Sequence, residues 1–152
     1  MEEEKQSVES AAIKYGLYTT GGLIAYFLIM KLLGLVHVIE LRGFNLFIII
    51  GGILMGMRNF KAKTGGPIVY LQGIGLGLLI SAVAVVLFAV FVFAYLQMDN
   101  SLMETIKQKE SFGRFLNPYI LAFVIALEGV ASGFIATFVI MQYMKRSHLS
   151  NQ

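Results

Sequence analysis

The chain contains no cysteine, only two prolines and two histidines, and few charges for its 152 residues. Without cysteine there is no disulfide framework, no thiol nucleophile and no thiolate metal site. His37 and His148 lie near opposite ends of the sequence and belong to no ligand-spaced cluster, so no metal site is expected. No two carboxylates share an apolar run, and no Ser or Thr has a His partner. Catalytic residues and cofactors are therefore expected to be absent. Charged residues make up only 14% of the chain, against about 25% in soluble proteins. The net charge of +3 is spread over tails and connecting segments. With no basic face and no RNA-binding motif, nucleic acid is not an expected partner.

What is abundant is apolar surface. Hydrophobic residues reach 57%, above the roughly 45–50% of globular proteins. A soluble domain of this size buries only about two-thirds of its unfolded surface and could not hide so many large side chains. A bilayer can accept them. Four apolar runs stand out, at 15–38, 41–57, 67–98 and 118–144. They are continuous rather than alternating and too long for barrel strands, so they predict helices, which satisfy their backbone hydrogen bonds internally in lipid. The third run is longer than the roughly 20 residues a bilayer core needs. It predicts a tilt, or an end that stands clear of the membrane. The expected fold class is all-α, a four-helix integral membrane bundle at 15–144. It is preceded by a lead-in at 1–14, carries a loop at 99–117, and is followed by a tail at 145–152.

Glu2, Glu3 and Glu4 stand where a cleaved signal peptide would carry basic residues, so the first span reads as permanent. Four spans place the lead-in, the 58–67 connection and the tail on one side, with seven lysines and arginines. The opposite side has four: Arg42, Lys107, Lys109 and Arg114. The positive-inside bias then predicts cytoplasmic termini. Asn117 followed by Pro118 reads as an N-cap with proline at the first helical position, and Pro67 after Gly65 and Gly66 reads likewise. Ser101-x-x-Glu104 has capping-box spacing. It leaves open a short interfacial helix or a mobile polar loop in 99–117, whose Asp99, Glu104 and Glu110 read as solvated surface charge.

Lipid gives no hydrophobic drive for helix association, so close packing falls to small residues. Three Gly-x-x-x-Gly pairs supply them: Gly52 and Gly56, Gly73 and Gly77, Gly129 and Gly133. In the last span Ala122, Ala126, Gly129, Gly133 and Ala136 draw a narrow stripe, a seam for a helix of the same chain or of a second copy. Gly73, Gly75 and Gly77 do not form a dinucleotide fingerprint, which needs other spacing between a strand and a helix.

Glu128 stands alone in the middle of the last apolar run. A carboxylate there costs several kcal/mol, on the order of 3 or more, unless it is neutralised, paired or wetted. On a helical wheel it shares a side with Ile125 and Ser132. Lys31 and Asn45 lie at comparable depth, and with Glu128 they form the candidate intramembrane polar cluster. Two readings stand: a structural pin for the last helix, or a titrating or ligand-binding cavity.

Three stretches, "YGLYTTGGLIAYFLI", "GILMGMRNFK" and "GGPIVYLQGIGLGLLIS", give the chain a likeness. It resembles a family of small bacterial inner-membrane proteins, mainly of Bacteroidota, catalogued as domain of unknown function 4199. The resemblance implies a four-helix membrane domain, no assigned activity and no functional residues to carry over. The expected role is non-enzymatic, as a scaffold or accessory subunit of an envelope complex whose partners are the lipid bilayer and a second copy or another membrane protein. The alternatives are an oligomeric transporter or channel subunit using Glu128 and Lys31, and an accessory to lipid-linked sugar metabolism. A lipid-acting enzyme would have to draw on the 99–117 loop or the His37–Glu40–Arg42 turn.

Overall fold

The structure, a computed structural model, describes residues 7–36, 39–66 and 68–149, and every regular element among them is helical. Helix α1 (Val8–Leu32) is followed by a single turn, α2 (Ile39–Arg42), then by α3 (Phe44–Thr64), α4 (Tyr70–Met98) and α5 (Asn100–Lys109). A 3-10 turn at Gly113–Phe115 leads into α6 (Pro118–Leu149). His37 and Pro67 lie outside the described residues.

Helix α1 starts well before residue 15. Ser7 caps it, its hydroxyl accepting from the Ser10 amide at 3.1 Å. Its opening turns are amphipathic rather than apolar: Ala11, Ala12, Tyr15 and Gly16 are buried while Glu9, Ser10, Ile13 and Lys14 are exposed. Such turns do not register as a hydrophobic run, but a partly polar helix face needs no lipid to hide it. The far end stops at Leu32 rather than 38. Gly34 adopts φ +68°, the Leu35 amide donates to Met30 O and the Gly34 amide to Lys31 O, both at 2.9 Å. This is the Schellman termination that a left-handed glycine allows.

The second span moves the opposite way, toward the C-terminus, from 41–57 to Phe44–Thr64, and stops at left-handed Gly65 (φ +65°). Its last turns keep Met57 and Phe60 buried and turn Lys61 and Lys63 outward. The 99–117 segment is mostly helical. Its cap is Asp99 and not Ser101: the Asp99 carboxylate accepts from the Leu102 amide at 3.1 Å and the Ser101 hydroxyl at 2.7 Å. Ser101 therefore lies inside α5, and its capping-box spacing to Glu104 is not used. Asn117 caps α6 as expected, accepting from the Ile120 amide at 2.8 Å with Pro118 first in the helix.

Helix α4 is central, packed against α1, α3 and α6. It runs parallel to α1: Gly16 lies against Val83, Phe27 stacks edge-on to Phe88 and Phe91, and Lys31 reaches Tyr95 and Asp99. Helix α3 runs the other way along α1, with Gly52 on Thr19 and Gly56 on Tyr15. The contact of α4 with α6 is one antiparallel seam in steps of four residues. Gly73 receives Met141 and Gly77 receives Thr137; the roles then exchange, so that Gly133 receives Ser81 and Gly129 receives Val85. Both Gly-x-x-x-Gly pairs are spent on this single intrachain interface. Each glycine makes room for a larger side chain opposite, which keeps the helices close without voids.

Two helices, Tyr70–Met98 and Pro118–Met144, are long and apolar enough to cross a membrane. Half of the most apolar stretch of α4 is buried, but only 22% of that of α6. Phe123, Leu127, Phe134, Ile135 and Val139 of α6 point outward.

Candidate functional site

The polar residues gather at the end of the molecule where α5 lies, and they form two groups. In the first, Lys31 near the end of α1 donates to the Asp99 carboxylate at 2.7 Å and to the Tyr95 hydroxyl. Its ammonium also sits 4.4 Å from the centre of the Tyr95 ring. Lys31 thus joins the α1 terminus to the junction of α4 and α5. Asp99 answers to three donors, Lys31 foremost, then Ser101 and the Leu102 amide, and together they lower its pKa from 3.8 to about 2.

The second group centres on Arg42, the last residue of α2. The Tyr26 hydroxyl donates to Leu41 O at 2.7 Å, fixing this corner against α1. From there the guanidinium reaches Glu110, just past α5, at 3.3 Å and Glu128 in α6 at 3.5 Å. The Arg42 and Glu110 side chains are 27% and 22% exposed, and that of Glu128 is 55% exposed. One cation is therefore shared by two carboxylates.

Of the three residues grouped from the sequence, Asn45 and Glu128 do come together, lining one cavity. Lys31 does not join them; its ion pair is with Asp99. Depth along a helix is read from residue count, but which neighbour a side chain faces also depends on rotation about the axis. Arg42 had counted only toward the charge balance of the two sides and as part of the His37–Glu40–Arg42 turn. Asp99 and Glu110 had read as solvated, yet both are three-quarters covered or more and ion-paired. Glu104 is exposed, as expected. The available signal was charge balance: Lys31 and Arg42 are cations at the same helix ends that the 99–117 acids must approach.

The cavity measures about 260 Å³ and is bounded by all four long helices. Its walls are apolar, with Leu46, Ile49, Phe88, Val92 and Ile125 prominent, and its polar members are Arg42, Asn45, Glu110, Glu128 and Ser132. The Asn45 side-chain oxygen is buried with no hydrogen-bond partner among the described residues, an arrangement native interiors seldom leave unanswered. Toward the other end the interior is filled by Met57, Leu76, Ile80 and Thr137, each fully buried. Among the described residues no group of three or more His, Asp or Glu could hold a metal ion.

The family model described as "Protein of unknown function (DUF4199)" matches residues 14–146. The chain belongs to that family. The match takes in α3, α4, α5 and both polar groups, so the cavity lies within the shared domain. Neither the proteins of curated function nor the solved structures contain a match to this DUF4199 chain.

Proposed function

We propose that this DUF4199 protein is a non-enzymatic, four-span protein of the bacterial inner membrane with both termini cytoplasmic, an accessory subunit that holds a membrane amphiphile at its outer end. The observation that carries this is the cavity: apolar inside, polar at Arg42, Glu110 and Glu128, with the interior toward the other end filled by Met57, Leu76, Ile80 and Thr137. Apolar walls with a few convergent polar groups are the usual form of a small-molecule site. An alkyl chain suits the walls, and a head group suits the polar members. The filled inner end favours holding over conduction, which would need a continuous pathway.

The four-span layout is supported by α4 and α6, by the outward apolar face of α6 and by the excess of basic residues on the side of the 58–67 connection. Because the chain has no cysteine, Thr64→Cys and Ser111→Cys give single labelling sites. An impermeant maleimide should reach Ser111→Cys from outside intact spheroplasts and Thr64→Cys only after lysis. Labelling of both from one side overturns the layout. Holding is tested by native mass spectrometry of the purified full chain after detergent exchange. The wild type should retain about one lipid per chain, as expected for a single site, and Ser132→Phe, which projects a ring into the cavity, should retain none at unchanged helicity. Equal retention by both overturns the cavity as the site.

A further inference from the structure

We infer that the polar end of the cavity selects an amphiphile with a primary ammonium head, an ethanolamine-type phospholipid, over anionic and trimethylammonium lipids. This rests on the reading that the cavity takes an alkyl chain, and it adds the chemistry of the head group. Arg42 faces two carboxylates and so leaves the cluster with a surplus negative charge. Its contact with Glu128 is the longer one, at 3.5 Å, and an ionised carboxylate offers about four acceptor sites, so Glu128 retains capacity for a donor. Lys31, the other cation of this end with a described ion pair, is engaged by Asp99 and Tyr95. Among the described residues Arg42 is the one cation in ion-pair contact with Glu128.

Asn45 also lines the cavity, but its orphaned oxygen is itself buried, so Glu128 is the acceptor open to a donor there. A primary ammonium brings one positive charge and three N–H donors, which matches the surplus carboxylate. A trimethylammonium carries the charge but has no N–H to donate. An anionic glycerol-type head adds negative charge to a cluster that already has too much. The phosphate of an ethanolamine head falls on the Arg42 side, and its chain follows Leu46, Ile49, Phe88 and Val92. Electrostatics here sets selectivity more than affinity.

The test uses the full chain in nanodiscs of phosphatidylcholine doped with equal small shares of phosphatidylethanolamine and phosphatidylglycerol, read by native mass spectrometry of the ejected protein with its retained lipid. The wild type should enrich phosphatidylethanolamine over phosphatidylglycerol about tenfold, the ratio that a single charge-assisted hydrogen bond to the head group implies. Glu128→Gln, which keeps the side-chain shape, should bring the ratio back to that of the bilayer. Enrichment of phosphatidylglycerol, no enrichment, or an enrichment unchanged in Glu128→Gln overturns the head-group assignment while leaving chain binding standing. Absence of any retained lipid in the wild type overturns chain binding itself. Far-UV circular dichroism of each variant confirms that the helices are formed.

Discussion

Gly133 offers the most exacting check on the packing of α4 and α6. A methyl group added there would overlap the Cβ and Oγ of Ser81, while the next atom it meets, Ser81 Cα, stands 3.8 Å away. A single side chain thus obstructs the substitution. Forcing a methyl into a filled contact costs typically about 1–3 kcal/mol. Replacing a helical glycine by alanine returns up to about 1 kcal/mol of propensity. Gly133→Ala should therefore lose about 1–2 kcal/mol on balance. Gly75 is the internal control, because a methyl at that position meets nothing within 4 Å; Gly75→Ala should be neutral or gain up to about 1 kcal/mol. Ser81→Gly removes the obstruction along with the hydroxyl's 2.9 Å bond to Leu78 O. The double variant Gly133→Ala/Ser81→Gly should be more stable than the two single effects added, by about 1–2 kcal/mol of coupling. Reversible unfolding in mixed dodecyl maltoside and dodecyl sulfate micelles, followed by far-UV circular dichroism, measures all four. Gly133→Ala as stable as Gly75→Ala, or strict additivity in the double variant, would refute the seam.

The Asp99 carboxyl is held below its ordinary value, so its stabilisation is full above about pH 4 and is lost as the pH falls toward about 2. Hydrogen exchange of α5 should rise across that window in the wild type and stay flat in Asp99→Asn, which keeps the cap but not the charge. Arg42→Ala leaves Glu110 and Glu128 without their shared cation and should cost about 1–3 kcal/mol. Glu128→Gln, at a more exposed group, should cost under about 1 kcal/mol in the same unfolding assay. Gly113→Ala should strip protection from α5, because its methyl would collide with the carbonyl and Cα of Lys107, backbone atoms that cannot swing aside; limited proteolysis between α5 and α6 reads this directly.

The long apolar stretches of α4 and α6 were legible because a hydropathy run and a helix coincide there. Asn117 and Pro118 marked the start of α6 for the reasons cap chemistry gives. The ends of α1 and α3 were less legible, since their outer turns are held by a buried stripe, such as Ala11, Ala12 and Tyr15, beneath polar neighbours. Gly34 and Gly65 do mark both terminations, but a glycine in an apolar chain with 16 of them is not distinctive. The small-residue pairs pointed to close packing without naming their partners. Only the structure shows Gly73, Gly77, Gly129 and Gly133 sharing one seam while Gly52 and Gly56 serve α1. In the site, Glu128 and Asn45 could be grouped by depth. Arg42 was missed because it marked the edge of a run, and its reach toward Glu128 depends on the α2 corner, which periodicity does not reveal.

Three ion pairs among the described residues that join distant parts of the chain share one property: both cations, Lys31 and Arg42, precede the 64–70 connection, and Asp99, Glu110 and Glu128 all follow it. A ribosome therefore delivers the two paired cations with the N-terminal hairpin first and their carboxylate partners with the C-terminal hairpin second, and docking of the hairpins joins them as well as covering surface. Cutting the gene within that connection and expressing the two fragments together should still yield the assembled fold, with these ion pairs setting the register of the pieces.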